Sequence, residues 1–111
     1  MEFDNNKPIY LQICESICNR ILSGDFRENE RLVSVRDYGI ELGVNPNTIM
    51  RCYEKLTDDG VIFNKRGIGY FVNENAKSII TEKRRKEFLE VELPSLKAKA
   101  ALLGIDLKNY L

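Results

Sequence analysis

The chain has 111 residues, which allows one ordinary domain and a small appendage. Its 43% hydrophobic and 31% charged residues are typical of a globular protein, not of a disordered or fibrous one. The 17 basic and 17 acidic residues cancel, and without histidine the chain lacks the commonest general base and metal ligand. No apolar run approaches the ~20 residues that span a bilayer, and no signal peptide is evident. We therefore expect a cytoplasmic protein with no membrane partner.

Two amphipathic segments in the first third of the chain are predicted to be helices. Residues 8–23 carry isoleucine at every fourth position, and Gly24 favours the left-handed conformation that ends a helix. The second helix follows Ser34, which forms a capping-box pattern with Asp37, and it ends at Gly43. A glycine inside this second helix indicates that another helix passes close to it.

A third helix is predicted over residues 46–58, separated from the second by a very short turn. Asn45 is the expected N-cap, and Pro46 suits the first helical position. Its core face is predicted at positions i, i+3, i+4 and i+7, which are Ile49, Cys52, Tyr53 and Leu56. Two β-favouring runs, residues 61–63 and 70–72, flank a basic loop with two glycines and indicate a hairpin.

Residues 76–111 differ in composition from the preceding segment. Residues 76–93 favour a helix, Pro94 is expected to interrupt it, and Asp106 is predicted to cap a last short helix. A segment of this size needs another surface to cover its apolar stripes and cannot easily enclose a ligand pocket. We therefore expect it to form a homodimer. The candidate dimerisation residues are Ile80, Phe88, Val91, Leu96, Ala100 and Leu103.

Helix, short turn, helix and hairpin is the order of a winged helix-turn-helix. The predicted fold class is thus mainly α (α+β), with a DNA-binding domain over residues 1–75 and a helical dimerisation tail over 76–111. In this fold the second helix of the pair enters the major groove of double-stranded DNA, and the hairpin lies against the backbone or the minor groove. The predicted DNA contacts are Arg36, Asn45, Asn47, Thr48, Arg51, Lys65, Arg66, Gly67 and Gly69.

Charge leaves an alternative open. Residues 1–72 carry nine basic and eleven acidic side chains, so DNA binding would depend on a few well-placed cations and on two copies acting together. The same balance would suit a winged helix that docks a protein. The three cysteines could form a thiol-based sensor, although buried cysteines acting as small hydrophobes fit better. No catalytic motif is present, so we expect neither an enzyme nor a cofactor nor a metal site.

Several short motifs resemble, in order, those of the GntR-type winged-helix regulators. They are Pro8-Ile9-Tyr10-Leu11-Gln12-Ile13, Leu32-Val33-Ser34-Val35-Arg36, Val44-Asn45-Pro46-Asn47-Thr48 and Arg66-Gly67-Ile68-Gly69-Tyr70-Phe71-Val72. The segment after them is similar to the short tail of the YtrA-like branch. The chain departs from the family pattern at Glu28-Asn29, where Pro-Gly is common, and at Val33, where proline is common.

This resemblance implies a homodimeric bacterial transcription factor, usually a repressor, on an inverted-repeat operator. It also implies that Arg36, the start of the recognition helix and the wing contact DNA. The resemblance does not identify a small-molecule effector, so that partner is unknown.

Overall fold

The computed structural model describes Phe3 and residues 5–111. Its elements, in chain order, are α1 (Ile9–Ser23), α2 (Val35–Leu42), α3 (Pro46–Asp58), β1 (Ile62–Lys65), β2 (Gly69–Val72), α4 (Ala76–Glu87), a π-helical segment (Phe88–Glu92), α5 (Leu93–Leu102) and a 3₁₀ turn (Leu107–Tyr110). This order confirms the predicted mainly helical winged-helix fold. The chain divides into two compact units, a first unit that ends at Ile80 and a second unit from Thr81 to Leu111.

The starts of the second and third helices follow the predicted capping chemistry. The Ser34 hydroxyl accepts a hydrogen bond from the Asp37 N–H at 3.1 Å, and the Asn45 side-chain oxygen accepts one from the Asn47 N–H at 2.9 Å. Pro8 precedes α1 in an extended conformation and is its N-cap residue, so α1 begins one residue later than predicted. Local sequence therefore fixes where α2 and α3 start.

The core of the first unit joins α1, α3 and the hairpin. All four predicted core positions of α3 are buried, and Ile13, Ile17 and Ile21 of α1 have no exposed area. Inside α2, a Cβ atom at Gly39 would lie 3.0 Å from the Val44 carbonyl oxygen. The turn into α3 thus passes directly against α2, as the glycine predicted, and holds the two helices at close range.

The predicted hairpin forms as β1 and β2, paired antiparallel. The segment before α2 lines the free edge of β2. The N–H groups of Asn29 and Leu32 donate to β2 carbonyl oxygens at 2.8 Å, and Arg31 lies opposite Phe71. Asn29 stands where the family commonly has glycine and adopts a φ of 69°, a left-handed conformation that asparagine tolerates.

The α-helix is interrupted directly before Pro94, as predicted, but the interruption is a π-helical segment and not a break in the helical chain. The helix continues through a π-helical segment, in which the Leu93 N–H donates to the Phe88 carbonyl oxygen five residues back. A proline ring clashes with the carbonyl four residues before it, and the wider π turn removes that regular arrangement. Among residues 81–111, all of which the structure describes, Ala100 alone is buried. No described helix is long and apolar enough to cross a membrane.

Candidate nucleic-acid interface

The outer face of α3 carries the predicted recognition residues. Asn47 and Arg51 are exposed and lie one helical turn apart, and Thr48 is half-buried beside them. The opposite face of α3 is buried in the core, so these polar groups stand on a fixed support. Asn45 is exposed, but its side-chain oxygen caps the helix, which leaves its NH₂ group as the donor available to DNA.

Arg51 is held by a residue of the first helix. Its guanidinium carbon lies 4.0 Å from the centroid of the Tyr10 ring, a cation–π arrangement. The contact restricts a long and otherwise flexible side chain on the recognition face. Sequence analysis did not assign Tyr10 a role at the interface, because the two residues are 41 positions apart and no local pattern links them.

The wing presents two cations around a tight turn. Lys65, Arg66 and Gly67 are exposed, and the turn closes through a hydrogen bond from the Ile68 N–H to the Lys65 carbonyl oxygen at 2.9 Å. Gly67 has a φ of 80°, a backbone conformation that residues with a side chain rarely adopt. The Lys65 ammonium lies 4.5 Å from the centroid of the Phe71 ring, so the strand beneath it restricts its position.

Hydrogen bonds and ring contacts connect the wing to the recognition helix. The rings of Tyr53 in α3 and Tyr70 in β2 meet edge to face at 5.1 Å, and the Tyr70 hydroxyl donates to the Met50 sulfur at 3.7 Å. The Tyr53 hydroxyl donates to the Val33 carbonyl oxygen at 2.6 Å, and burial raises the pKa of this phenol so that it stays protonated. Helix, wing and the approach to α2 therefore form one rigid arrangement.

Arg36 occupies the first turn of α2 and is exposed. No carboxylate of the described residues lies within ion-pair distance of it. Gly69, the last predicted wing residue, is half-buried with a φ of 140°. All nine predicted DNA contacts therefore belong to the first unit.

The predicted dimerisation residues fall into two groups. Ile80 is 3% exposed and packs in the core of the first unit, because the first turns of α4 belong to that core. Its side chain therefore offers almost no exposed surface for contact with a second chain. Ala100 is also buried. The remaining four are exposed on the second unit: Phe88, Val91, Leu96 and Leu103.

The cysteines lie where α1 meets α3. The Cys14 thiol donates to the Cys52 sulfur at 3.1 Å, and both residues are buried with unoxidised thiols. The hydrogen bond with Cys14 and burial raise the pKa of the Cys52 thiol well above its usual range. Because the thiolate is the reactive form, this site favours packing over chemistry.

A short helix pair with exposed polar groups on its second helix, beside a basic two-stranded wing, defines a winged helix-turn-helix DNA-binding protein. Residues 9–72 match the model of a protein family whose description is "Bacterial regulatory proteins, gntR family". The HTH-type transcriptional repressor YtrA of Bacillus subtilis is 32% identical over 105 residues, which cover 95% of this chain and 80% of that protein. The chain therefore belongs to the GntR family of DNA-binding transcriptional regulators and is not an enzyme.

Solved structures agree with this assignment. A GntR family transcriptional regulator from Listeria monocytogenes superposes with a TM-score of 0.80 at 31% identity, over 97% of this chain and 93% of that one. A GntR-family protein from Bacteroides thetaiotaomicron gives a TM-score of 0.78 at 45% identity, over 93% of this chain and 89% of that one. The similarity extends well beyond the winged helix and into the second unit.

Proposed function

We propose that the chain is a repressor that binds an inverted-repeat operator as a homodimer in the cytoplasm. The observation that carries this proposal is the row of Asn47, Thr48 and Arg51 on a helix that contacts a basic wing, with Asn47 and Arg51 exposed and Thr48 half-buried. Donors and acceptors placed in this way can read base edges in the major groove, where the four base pairs are distinguishable. The relation to YtrA, which is named a repressor, supports the sign of the regulation.

The homodimer is supported by charge and by exposed apolar area. The first unit carries few cations, and a second copy would double the number of phosphates neutralised. The second unit exposes Phe88 by 50%, Val91 by 60% and Leu103 by 61% of their surface. Covering these side chains with their counterparts in another copy removes apolar area from water. A two-fold dimer in turn requires an operator with inverted half-sites.

Each exposed polar residue has a distinct role in this proposal. Arg36 and Arg51 anchor phosphates or pair with guanine, since a guanidinium can form two parallel hydrogen bonds. Asn47 and Thr48 set the register of the helix in the groove. Arg66 and Gly67 hold the wing against the DNA backbone, where the glycine lets backbone N–H groups approach closely.

The decisive experiment compares Arg36→Ala with Arg27→Ala. Arg27 is exposed and has no DNA contact assigned to it, so Arg27→Ala is a matched loss of one arginine charge. A duplex is first selected with the wild-type chain from a random library. In fluorescence anisotropy at fixed salt, we expect Arg36→Ala to weaken binding at least about tenfold. Arg27→Ala should leave binding unchanged, and both variants should remain dimers in size-exclusion chromatography with light scattering.

Three results would contradict the proposal. Unchanged affinity of Arg36→Ala would remove that residue from the interface. A monomer at micromolar concentration would exclude the homodimer. Binding that does not weaken steeply as salt rises would favour a winged helix that docks protein, because phosphate contacts release counterions and produce a steep slope. A reporter gene placed behind the selected duplex distinguishes repression from activation.

A further inference from the structure

Arg31 lies at the base of the wing in a well-fixed backbone position. It stands opposite Phe71 on the free edge of β2. The Leu32 N–H donates to the Tyr70 carbonyl oxygen at 2.8 Å, and the Val72 N–H donates to the Glu30 carbonyl oxygen at 3.0 Å. Hydrogen bonds on both sides therefore hold this short segment as an additional edge of the wing, although its sequence gives no strand signal.

The Arg31 side chain lies across Gly69. A Cβ atom at Gly69 would be 2.9 Å from Nε and 3.2 Å from Nη2 of Arg31. Gly69 is in turn the partner of Lys65 in the hairpin register, so the guanidinium lies beside the wing cations already assigned to DNA. The guanidinium can occupy this position because residue 69 has no side chain.

The charge of Arg31 is exposed and not neutralised within the unit. Although Glu28 and Glu30 are near in sequence, no carboxylate in the described part of the chain lies within ion-pair distance of its guanidinium. A guanidinium offers five donors in a planar fork that matches a phosphate group. In a domain whose acidic residues outnumber its basic ones, each exposed cation contributes a large share of the attraction to phosphate.

We propose that Arg31 binds a DNA phosphate at the wing and that Gly69 serves to seat its guanidinium. This inference rests on the DNA-binding function proposed above. Because a phosphate contact carries no sequence information, Arg31 should strengthen binding to any duplex and not only to the operator.

The test uses two variants of Arg31 and the matched control Arg27→Ala. Arg31→Ala removes the whole side chain, whereas Arg31→Gln keeps most of its length and removes the charge. Each full-length protein is titrated, over a series of KCl concentrations, against the selected duplex and against a scrambled duplex of the same length. We expect both Arg31 variants to bind both duplexes about tenfold more weakly, with a salt slope smaller by about 0.9 per subunit. Arg27→Ala should match the wild type, and all proteins should unfold at similar temperatures.

Arg66→Ala separates failure of this inference from failure of the proposed function. If Arg66→Ala loses affinity while Arg31→Gln matches Arg27→Ala, the wing binds DNA and Arg31 does not contact it. If the wild-type chain binds neither duplex with a salt-dependent affinity, the proposed function itself fails. A loss confined to the selected duplex would also overturn the inference, because it would mean that Arg31 reads bases.

Discussion

The two units of this chain bury their apolar residues to very different extents. In the first unit the isoleucines of α1 and the inner face of α3 are almost completely buried. In the second unit Leu96 is 52% exposed, Leu102 86% and Leu103 61%. The first unit is therefore stabilised by its own packing. The second carries large apolar side chains among its charged ones and leaves them exposed, which is the expected state of a segment that pairs with another chain.

The largest expected difference between the units is in how much a substitution to alanine lowers the free energy of unfolding. Ile17→Ala removes a fully buried side chain of the first unit and should lower the free energy of unfolding by about 2–5 kcal/mol. Leu102→Ala, at an 86% exposed position of the second unit, should change it by less than about 0.5 kcal/mol. Urea denaturation measures both. Equal effects would mean that Leu102 is covered, either by a core of the second unit or by a second chain, and the contrast would be lost.

The proposed association through the second unit can be tested without changing the first unit. The double substitution Val91→Lys and Leu96→Lys should convert the dimer to a monomer in light scattering, because it places charge among apolar side chains. Binding to the selected duplex should then weaken about a hundredfold, since the two half-sites are no longer linked. Ser95→Lys adds one such charge at an exposed polar position of α5 and is the control. A dimer that survives the double substitution would move the interface elsewhere.

The close contact between α2 and the turn into α3 can be tested by adding a single carbon atom at Gly39. At an exposed helical position, glycine to alanine stabilises a helix by about 1 kcal/mol. At Gly39 the new Cβ would lie 3.0 Å from the Val44 carbonyl oxygen, so we expect the opposite sign. Gly39→Ala should destabilise the protein by about 1–3 kcal/mol in thermal or urea unfolding. Ile40→Ala, at the 71% exposed neighbouring position, should change stability little. Stabilisation by Gly39→Ala would show that α2 and the turn can separate at low cost.

A smaller effect, on operator affinity, is expected at Tyr10, which packs against Arg51 on the proposed DNA-binding face. Tyr10→Leu removes the ring under Arg51 and with it a contact worth about 0.5–1 kcal/mol, so operator affinity should fall two- to fivefold. Tyr10→Phe keeps the ring and should bind like the wild type. Anisotropy with the selected duplex distinguishes the two. If Tyr10→Phe weakens binding as much as Tyr10→Leu, the hydroxyl is the important group and the cation–π explanation is wrong.

The smallest effect is expected from the cysteines. Because the pKa of Cys52 is raised, its thiol stays protonated at neutral pH and should react slowly. Iodoacetamide should label the half-buried Cys18 before Cys14 or Cys52 in the folded protein, and all three in urea, as read by mass spectrometry. Treatment with hydrogen peroxide should change operator affinity less than twofold. A larger loss, absent from a variant with all three cysteines replaced by serine, would restore the thiol-sensor hypothesis.

Elements set by local rules could be predicted from the sequence. Spacing alone placed Ile49, Cys52, Tyr53 and Leu56 in the core, and Asn45-Pro46 placed the start of α3 because cap and first helical residue are local features. The hairpin followed from two β-favouring runs around glycines. These elements also locate the face that carries Asn47 and Arg51.

Features that depend on distant neighbours could not be predicted. The edge formed by Arg31 and Leu32 has no alternating pattern and exists because β2 offers free backbone groups. Ile80 reads as part of an apolar tail stripe, yet the first turns of α4 pack in the core of the first unit. The contact of Tyr10 with Arg51 joins two helices that no spacing rule connects. The assignment of individual DNA contacts remains a prediction for the same reason, since it depends on a second molecule.

The π-helical segment before Pro94 has a consequence for pairing between chains. A regular α-helix turns by about 100° per residue, and a π turn accommodates one additional residue. Side chains downstream, Leu96 and Leu103 among them, are thus rotated by about that angle from where an unbroken α-helix would carry them. A chain with one residue fewer in this segment could run as a regular α-helix and would present the same leucines on the same side. In the homodimer proposed above, the π turn would therefore allow regulators that differ by one residue in this segment to offer matching apolar faces.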